Sequence, residues 1–162
     1  MRLYKYFYGG PFSNFWIQPF TIDGVEFNCN EQYFMWSKAK FFKDEETAEL
    51  ILKEVLPEKQ KALGRKVKNY DDSKWNEVRE YYMYKGLQAK FSYEQNPTLY
   101  NSIIRACMEF ELLVEASPTD KIWGIGFNSY DAPGNEDKWG LNLLGKQLTK
   151  LGLEFIAEQA ED

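Results

Sequence analysis

The stretch CNEQYFMWSKAKFF, residues 29–42, decides how this chain is read. It lacks glycine and proline and is dense in aromatics, as a helix built for burial would be, yet it carries Glu31 and Lys38 seven positions apart. Seven residues at about 100° each make nearly two turns, so both side chains share one face about 10 Å apart along the axis. That face continues through Phe34, Met35, Phe41 and Phe42. Asn28 or Asn30 is available as N-cap. The pattern Asn28-x-x-Glu31 resembles a capping box, and an acid in the first turn complements the helix dipole, so a structural role for Glu31 stands beside a chemical one. Lys38 would lay its stem along Phe34, Met35 and Phe41. Desolvation there disfavours the charged amine, which a nucleophilic or Schiff-base lysine requires; the plainer alternative is an ammonium that snorkels to water.

Around this helix the pattern predicts a mostly helical α+β chain with a small sheet packed on helices. PFTIDGVEF reads as two short strands turning at Asp23-Gly24. DEETAELILKEV and PEKQKALGRKV read as short helices, the second opened by Pro57. A long helix follows through KWNEVREYYMYKGLQAKF, capped by Asp72 or Ser73, with Trp75, Val78, Tyr82, Lys85 and Ala89 as its inward stripe. A further helix runs from Pro97 through Cys107. ELLVEA and KIWGIGF are strand-like, NSYDAPGNEDKWG is a polar loop, and LNLLGKQLTKLG is a closing helix that stops near Gly152.

With 162 residues, and neither repeats nor a linker-like tract, a single domain spanning 1–162 is expected, its core at about 11–151. The net charge of −5, with both signs interspersed, argues against a protein held on nucleic acid mainly by counterion release. A nucleic-acid substrate visited briefly stays compatible with it. No apolar run is long enough to span a bilayer and the N-terminus has no signal-peptide core, so a cytoplasmic protein with no membrane partner is expected. Histidine is absent, which removes Ser-His-Asp and Cys-His catalysis and imidazole metal sites. Cys29 and Cys107 lack metal-ligand spacing and read as buried, reduced thiols. Chemistry must therefore use carboxylates, lysine, tyrosine or backbone dipoles; no metal and no cofactor are expected. Aromatics are 17% of the chain; they fit a pocket with stacking faces or, equally, an aromatic-rich core.

Three further groups invite a site. In VEASPTDKIWGIGF, Glu115 and Asp120 flank a bend before Trp123, Gly124 and Gly126, where glycines would let a backbone approach a ligand while the indole stacks on a base; a strand bulge explains the same glycines. In KWGLNLLGK, Trp139, Gly140, Asn142 and Gly145 mark a helix start whose N–H groups could receive an anion, with Asn142 as a plain N-cap the simpler account. The basic run Lys59, Lys61, Arg65, Lys66 and Lys68 could hold a phosphate through Arg65, or simply be the solvated face of a helix.

Read in order, PFSNFWIQPFTIDGVEFNCNEQYFMWSKAKFF, LGRKV with Trp75 downstream, GLQAKFSYEQNPTL, LVEASPTDKIWGIGF and WGLNLLGKQL resemble the YbiA-like family, also called NADAR for its association with NAD and ADP-ribose. They span about Pro11 to Leu151. The resemblance implies a YbiA-like fold and a hydrolase that cleaves an N-glycosidic bond between a base and a (phospho)ribosyl or ADP-ribosyl group. Two substrate classes follow from it: unstable phosphorylated intermediates of riboflavin synthesis, and ADP-ribosylated guanine, as a free nucleotide or in nucleic acid. Carried over by motif, the catalytic glutamate falls on Glu31, its lysine on Lys38, the acidic and aromatic pocket residues on Asp120 and Trp123, and the asparagine motif on Asn142; Asp120 is expected among the catalytic residues, since Glu31 or Asp120 would move protons and steady positive charge at the sugar. Glu115, Gly124, Gly126, Arg65 and Trp75 complete the expected substrate-binding set. The chain departs from the commoner pattern of a histidine after the glutamate and a glutamine four residues after it: it has Gln32 and Met35, a difference that bears on substrate preference. The competing classes are a module that binds ADP-ribose or a nucleotide without cleaving it, and a scaffold with an aromatic partner surface.

Overall fold

The computed structural model describes residues 2–161. Its elements in chain order are β1 (Tyr4–Phe7), β2 (Phe20–Ile22), β3 (Val25–Phe27), α1 (Asn30–Phe41), α2 (Glu45–Lys53), α3 (Pro57–Gly64), α4 (Asp72–Lys90), α5 (Pro97–Glu109), β4 (Leu112–Glu115) and α6 (Leu143–Glu161), with a short 3-10 turn at Glu136–Lys138. The class is α+β with helices dominant. The backbone gathers into two compact units, one from residues 14–90 and one from the two ends of the chain, up to Ser13 and from Phe91 onward.

In the middle unit α1 is the central element, packed by α2, α3, α4 and β3. Residues Asn30 to Met35 are buried without a break, as are Ser37 and Ala39. A surface helix buries one stripe; a helix buried on most sides must find partners for its polar groups. Asn30 does so by donating to Asn14 Oδ1 at 2.8 Å. The hairpin β2–β3 pairs Phe20 with Phe27 and turns at Asp23 and Gly24, whose φ of 51° and 82° suit a two-residue hairpin turn. Phe20 and Phe27 pack with Tyr33 of α1 into an apolar cluster. Helix α2 is capped by Asp44, one oxygen accepting from the Thr47 N–H and the other from the Lys68 N–H.

Helix α4 corrects two expectations. Its cap is Asp71, whose carboxylate accepts from the Lys74 N–H and the Ser73 hydroxyl. Its inward face holds Trp75, Met83, Gly86, Leu87 and Lys90. Beyond the first turn this is the expected stripe displaced by one residue, so Val78, Tyr82, Lys85 and Ala89 are only half-buried.

In the unit made by the chain ends, β1 and β4 pair in parallel, Tyr4 opposite Leu112 through Phe7 opposite Glu115. The strand β1 is not legible in MRLYKYFYGGPF, and the strands form two separate two-stranded sheets rather than one. Helix α6 packs on β4 and α5. It runs nine residues past Gly152 to Glu161, because that glycine is a packing residue: a side chain there would collide with Cys107 of α5. KIWGIGF forms no strand. Both cysteines are buried free thiols. Among the described residues no helix is long and apolar enough to cross a membrane.

Candidate active site

The candidate residues fall in both units. In the middle unit they stand on α1 and on the segment after α3. Cys29 takes the N-cap position of α1 with no side-chain cap, and neither Asn28 nor Asn30 caps it. Asn28 instead donates its side-chain amide to the Val55 carbonyl. The reach back across the first turn comes from Gln32, whose Oε1 accepts the Asn28 N–H at 2.7 Å. Glu31 is therefore not the capping-box acid that the spacing suggested. It is 7% exposed, and its backbone N–H donates to the Asn14 carbonyl at 3.0 Å.

Gln32 is fully engaged in structure. Its amide nitrogen donates to the carbonyls of Ile51, Leu52 and Glu54 at 3.0, 3.3 and 3.1 Å, gathering carbonyls at the C-terminal end of α2. Gln60 of α3 extends this lattice: it donates to Glu54 O and Asn28 Oδ1 and accepts the Cys29 thiol at 3.1 Å. Met35 packs on Gly64, where its sulfur fills the space a Cβ would need. Both departures from the commoner family pattern thus lie in packed contacts between helices.

Lys38 is half-buried, with its Nζ 4.5 Å from the centre of the Tyr70 ring. Burial lowers its pKa below that of an ordinary lysine; Glu31 and Asp72 oppose this shift, and the Arg65 guanidinium adds to it. Tyr70 was not identified from sequence. Its hydroxyl donates to Asp72 Oδ1 at 2.7 Å and its ring packs on Phe42. The phenol is pushed up to about 12, by burial first and Asp72 second, so it stays protonated. Only the fold brings this ring to Lys38. Arg65 is exposed at the C-terminal end of α3. Lys68 leads elsewhere, toward Glu46 at 3.7 Å. Trp75 is 5% exposed, stacked on Tyr82 at 5.8 Å and flanked by Phe34, Phe41 and Phe42. It is a core residue, with no ring face left for a substrate.

In the other unit the candidates share one loop. Asp120 Oδ1 accepts the N–H groups of Ile122 and Trp123, each at 2.9 Å, and the Asp120 N–H donates to Ser117 Oγ. This fixes the turn that carries the half-buried Trp123. Gly124 sits where a Cβ would crowd the Glu115 and Asp120 carbonyls, so the glycine serves close backbone packing. At Gly126, with φ 76°, the Lys121 side chain packs over the backbone. Glu115, half-buried at the end of β4, accepts the Ile125 N–H at its carbonyl and donates its own N–H to Asn142 Oδ1.

The anion site expected at the start of α6 is overturned. The N–H groups of Asn142, Leu143 and Leu144 donate to the carbonyls of Gly124, Ile122 and Trp123. The Asn142 side chain neither caps the helix nor faces a ligand: it is 2% exposed and bridges β4, accepting from Glu115 N and donating to Leu113 O, each at 3.0 Å. Trp139 is likewise engaged, its indole N–H on the Ala132 carbonyl and its ring on Tyr4 and Tyr6.

The profile of the NADAR domain matches residues 6–154. The protein irg-1 of Caenorhabditis elegans is 37% identical over 91% of this chain and 76% of its own length. The N-glycosidase R617 of Acanthamoeba polyphaga mimivirus is 39% identical over 78% of this chain and 74% of its own, and the N-glycosidase YbiA of Escherichia coli 34% identical over 93% and 84%. The solution NMR structure of the E. coli protein YbiA superposes with a TM-score of 0.80 at 29% identity, covering 99% of this chain and 89% of that one.

Proposed function

Because the chain belongs to the NADAR domain family, we propose that it is an N-glycosidase in which Glu31 and Lys38 carry the reaction, on a base linked to a (phospho)ribosyl or ADP-ribosyl group. At the coarser level it is a hydrolase acting on N-glycosyl compounds. The observation that carries the reading is the environment of this pair on α1. Gln32 takes over the capping role, so Glu31 is not needed to cap the helix, and burial lowers the Lys38 pKa so that the amine is easier to deprotonate.

A route consistent with these groups begins with opening of the sugar ring, the Glu31 carboxylate passing a proton from water to the ring oxygen. The neutral Lys38 amine then adds to C1′. The bond from C1′ to the base nitrogen breaks, the base leaves with a proton, and an imine between C1′ and Nζ remains. Water adds to that imine, frees the lysine and releases the sugar; no electrons change hands. Asp120 is proposed to act indirectly, through the turn that holds Trp123, and Trp123 to stack on base or sugar. Glu115 with Gly124 and Gly126 shapes the same loop. The Arg65 guanidinium is the proposed phosphate partner. The two substrate classes under this reading are phosphorylated riboflavin-pathway intermediates and ADP-ribosylated guanine.

The test is to incubate the protein separately with a ribosylaminopyrimidine phosphate and an ADP-ribosylated guanosine, add borohydride, and weigh intact protein and peptides. A mass gain on Lys38 is expected with at least one substrate, and none in Lys38→Arg. Free base formed with no adduct, and undiminished turnover in Lys38→Arg, would remove the imine route; no base from either compound would remove the N-glycosidase reading for both.

A further inference from the structure

One ring stands over the amine that the proposed route uses, and it keeps an open face. The Lys38 Nζ lies 4.5 Å from the centre of the Tyr70 ring, and Tyr70 is 42% exposed. The other rings on this side of α1 offer no such face. Phe34, Phe42 and Trp75 are buried, and Phe41 is half-buried with Phe42, Trp75 and Tyr82 packed around it.

The Tyr70 ring is fixed by its own contacts. The Lys68 N–H donates to Asp44 Oδ2 at 2.9 Å on one side of it, and Asp71 caps α4 on the other. Between them Asn69 takes a φ of 64°, in the left-handed region that asparagine tolerates, and turns the chain. The phenol O–H donates to Asp72 Oδ1 at 2.7 Å, and the ring leans on Phe42 with centres 5.3 Å apart. A side chain held at both its ring and its hydroxyl loses little freedom on binding.

This placement does not serve the lysine alone. A ring face beside an ammonium attracts the charged form, whereas the route needs the neutral amine. That attraction ends once Nζ bonds to C1′, and the face becomes available to whatever else C1′ carries. The base is on that same carbon. Two C–N bonds of about 1.5 Å each separate its first nitrogen from Nζ, so that nitrogen lies about 2.5 Å from Nζ and the base extends outward from there. Paired aromatic rings hold their centres about 4.5–7 Å apart, a separation within reach of a base on C1′ above Tyr70. Because the O–H is already engaged by Asp72, the ring offers a flat face and no donor, and it recognises shape rather than the polar edge of a base.

We propose that Tyr70 is the stacking face for the leaving base while Lys38 holds C1′. The inference rests on the N-glycosidase reading and deepens it by giving the base its own residue, with Trp123 left to the sugar. It also sets the class of leaving group: a flat heteroaromatic ring, purine or pyrimidine alike.

The experiment compares the wild type with Tyr70→Leu and Tyr70→Phe, with melting temperatures taken to check folding. Base release is measured on the ADP-ribosylated guanosine and on the ribosylaminopyrimidine phosphate. In parallel, ribose 5-phosphate, which has an aldehyde in its open form and carries no base, is trapped on Lys38 with borohydride. On every substrate the wild type cleaves, Tyr70→Leu is expected to lower kcat/KM about tenfold, mainly through KM, as loss of one stacked base would, with trapping of the bare sugar unchanged. Tyr70→Phe keeps the face and should keep most of the wild-type kcat/KM. Tyr70→Met, which fills space without a flat face, replaces the leucine variant if that one does not fold. An unchanged kcat/KM, or a loss that falls on kcat or on sugar trapping instead, overturns the base subsite and leaves the N-glycosidase reading standing. If the wild type cleaves neither compound, that reading falls, and titration calorimetry with guanosine decides the subsite. Binding weakened about tenfold by Tyr70→Leu sustains it; equal binding in both proteins, or none, overturns it.

Discussion

The α1 region and the loop at residues 115–126 both hold candidate residues, and they use their polar side chains differently. On α1 the structural duties of the first turn are taken by Gln32 and Gln60, and the chemistry is proposed for Glu31 and Lys38. In the loop, Asp120 and Asn142 themselves hold the backbone, and the start of α6 donates its N–H groups to loop carbonyls. A helix satisfies most of its own backbone, so its side chains are available for other work; a loop without strand partners must recruit side chains to satisfy its backbone.

The largest expected effect tests the helix side of that contrast. Lys38→Ala should lower turnover at least about a thousandfold while the melting temperature changes little. In the wild type kcat/KM should rise with pH as Lys38 loses its proton, at a lower pH than an ordinary lysine would require. A large loss of stability with modest loss of rate would put Lys38 among the supporting residues.

The two tryptophans sharpen the contrast next. Trp75→Ala should destabilise the protein by about 3–5 kcal/mol, since the ring is enclosed by four aromatic neighbours. Trp123→Ala should act mainly on KM. Denaturant midpoints and kinetics measured on both variants separate the outcomes, and equal effects would erase the distinction.

On the loop side, Asn142→Ala removes both hydrogen bonds to β4 and places alanine at φ 52°. A cost of about 2–3 kcal/mol is expected, with kcat retained in the fraction that stays folded. Loss of rate without loss of stability would return Asn142 to the substrate-binding set.

The smallest effect concerns Lys90, fully buried in the last turn of α4, whose ammonium burial pushes down to about 7. The unfolded chain keeps that proton to about pH 10.4, so above pH 7 it binds more protons than the native state and stability rises with pH, by at most about 1.4 kcal/mol per unit. The Cys29 thiol, pushed up to about 11 mainly by burial, acts with the opposite sign once an unfolded thiol ionises near pH 8.5. The rise should therefore appear between about pH 7 and 8.5 in urea titrations and flatten in Lys90→Met. An unchanged slope in that variant would assign it to another group.

Local pattern carried much of the molecule. The helical spacing of residues 29–42, Asp23-Gly24 between β2 and β3, and Pro57 at the head of α3 are near-neighbour constraints, and each stands in the structure as read. The one-residue rotation of α4 was not legible, because Met83 and Gly86 are buried by what α1 presents to them. The strand β1 was missed for a similar reason: Tyr4–Phe7 pairs with a segment more than a hundred residues away.

What the sequence determined by itself was the helix that brings Glu31 and Lys38 to one face, the helix-rich α+β class, and the exclusion of histidine chemistry, all set by residue type and short-range periodicity. Only the tertiary structure decided that Gln32 rather than Glu31 serves the first turn, that Tyr70 meets Lys38, and that Trp75 and Asn142 belong to the scaffold. Those assignments depend on which distant carbonyls and rings fill the space around each side chain, and spacing along the chain does not specify that.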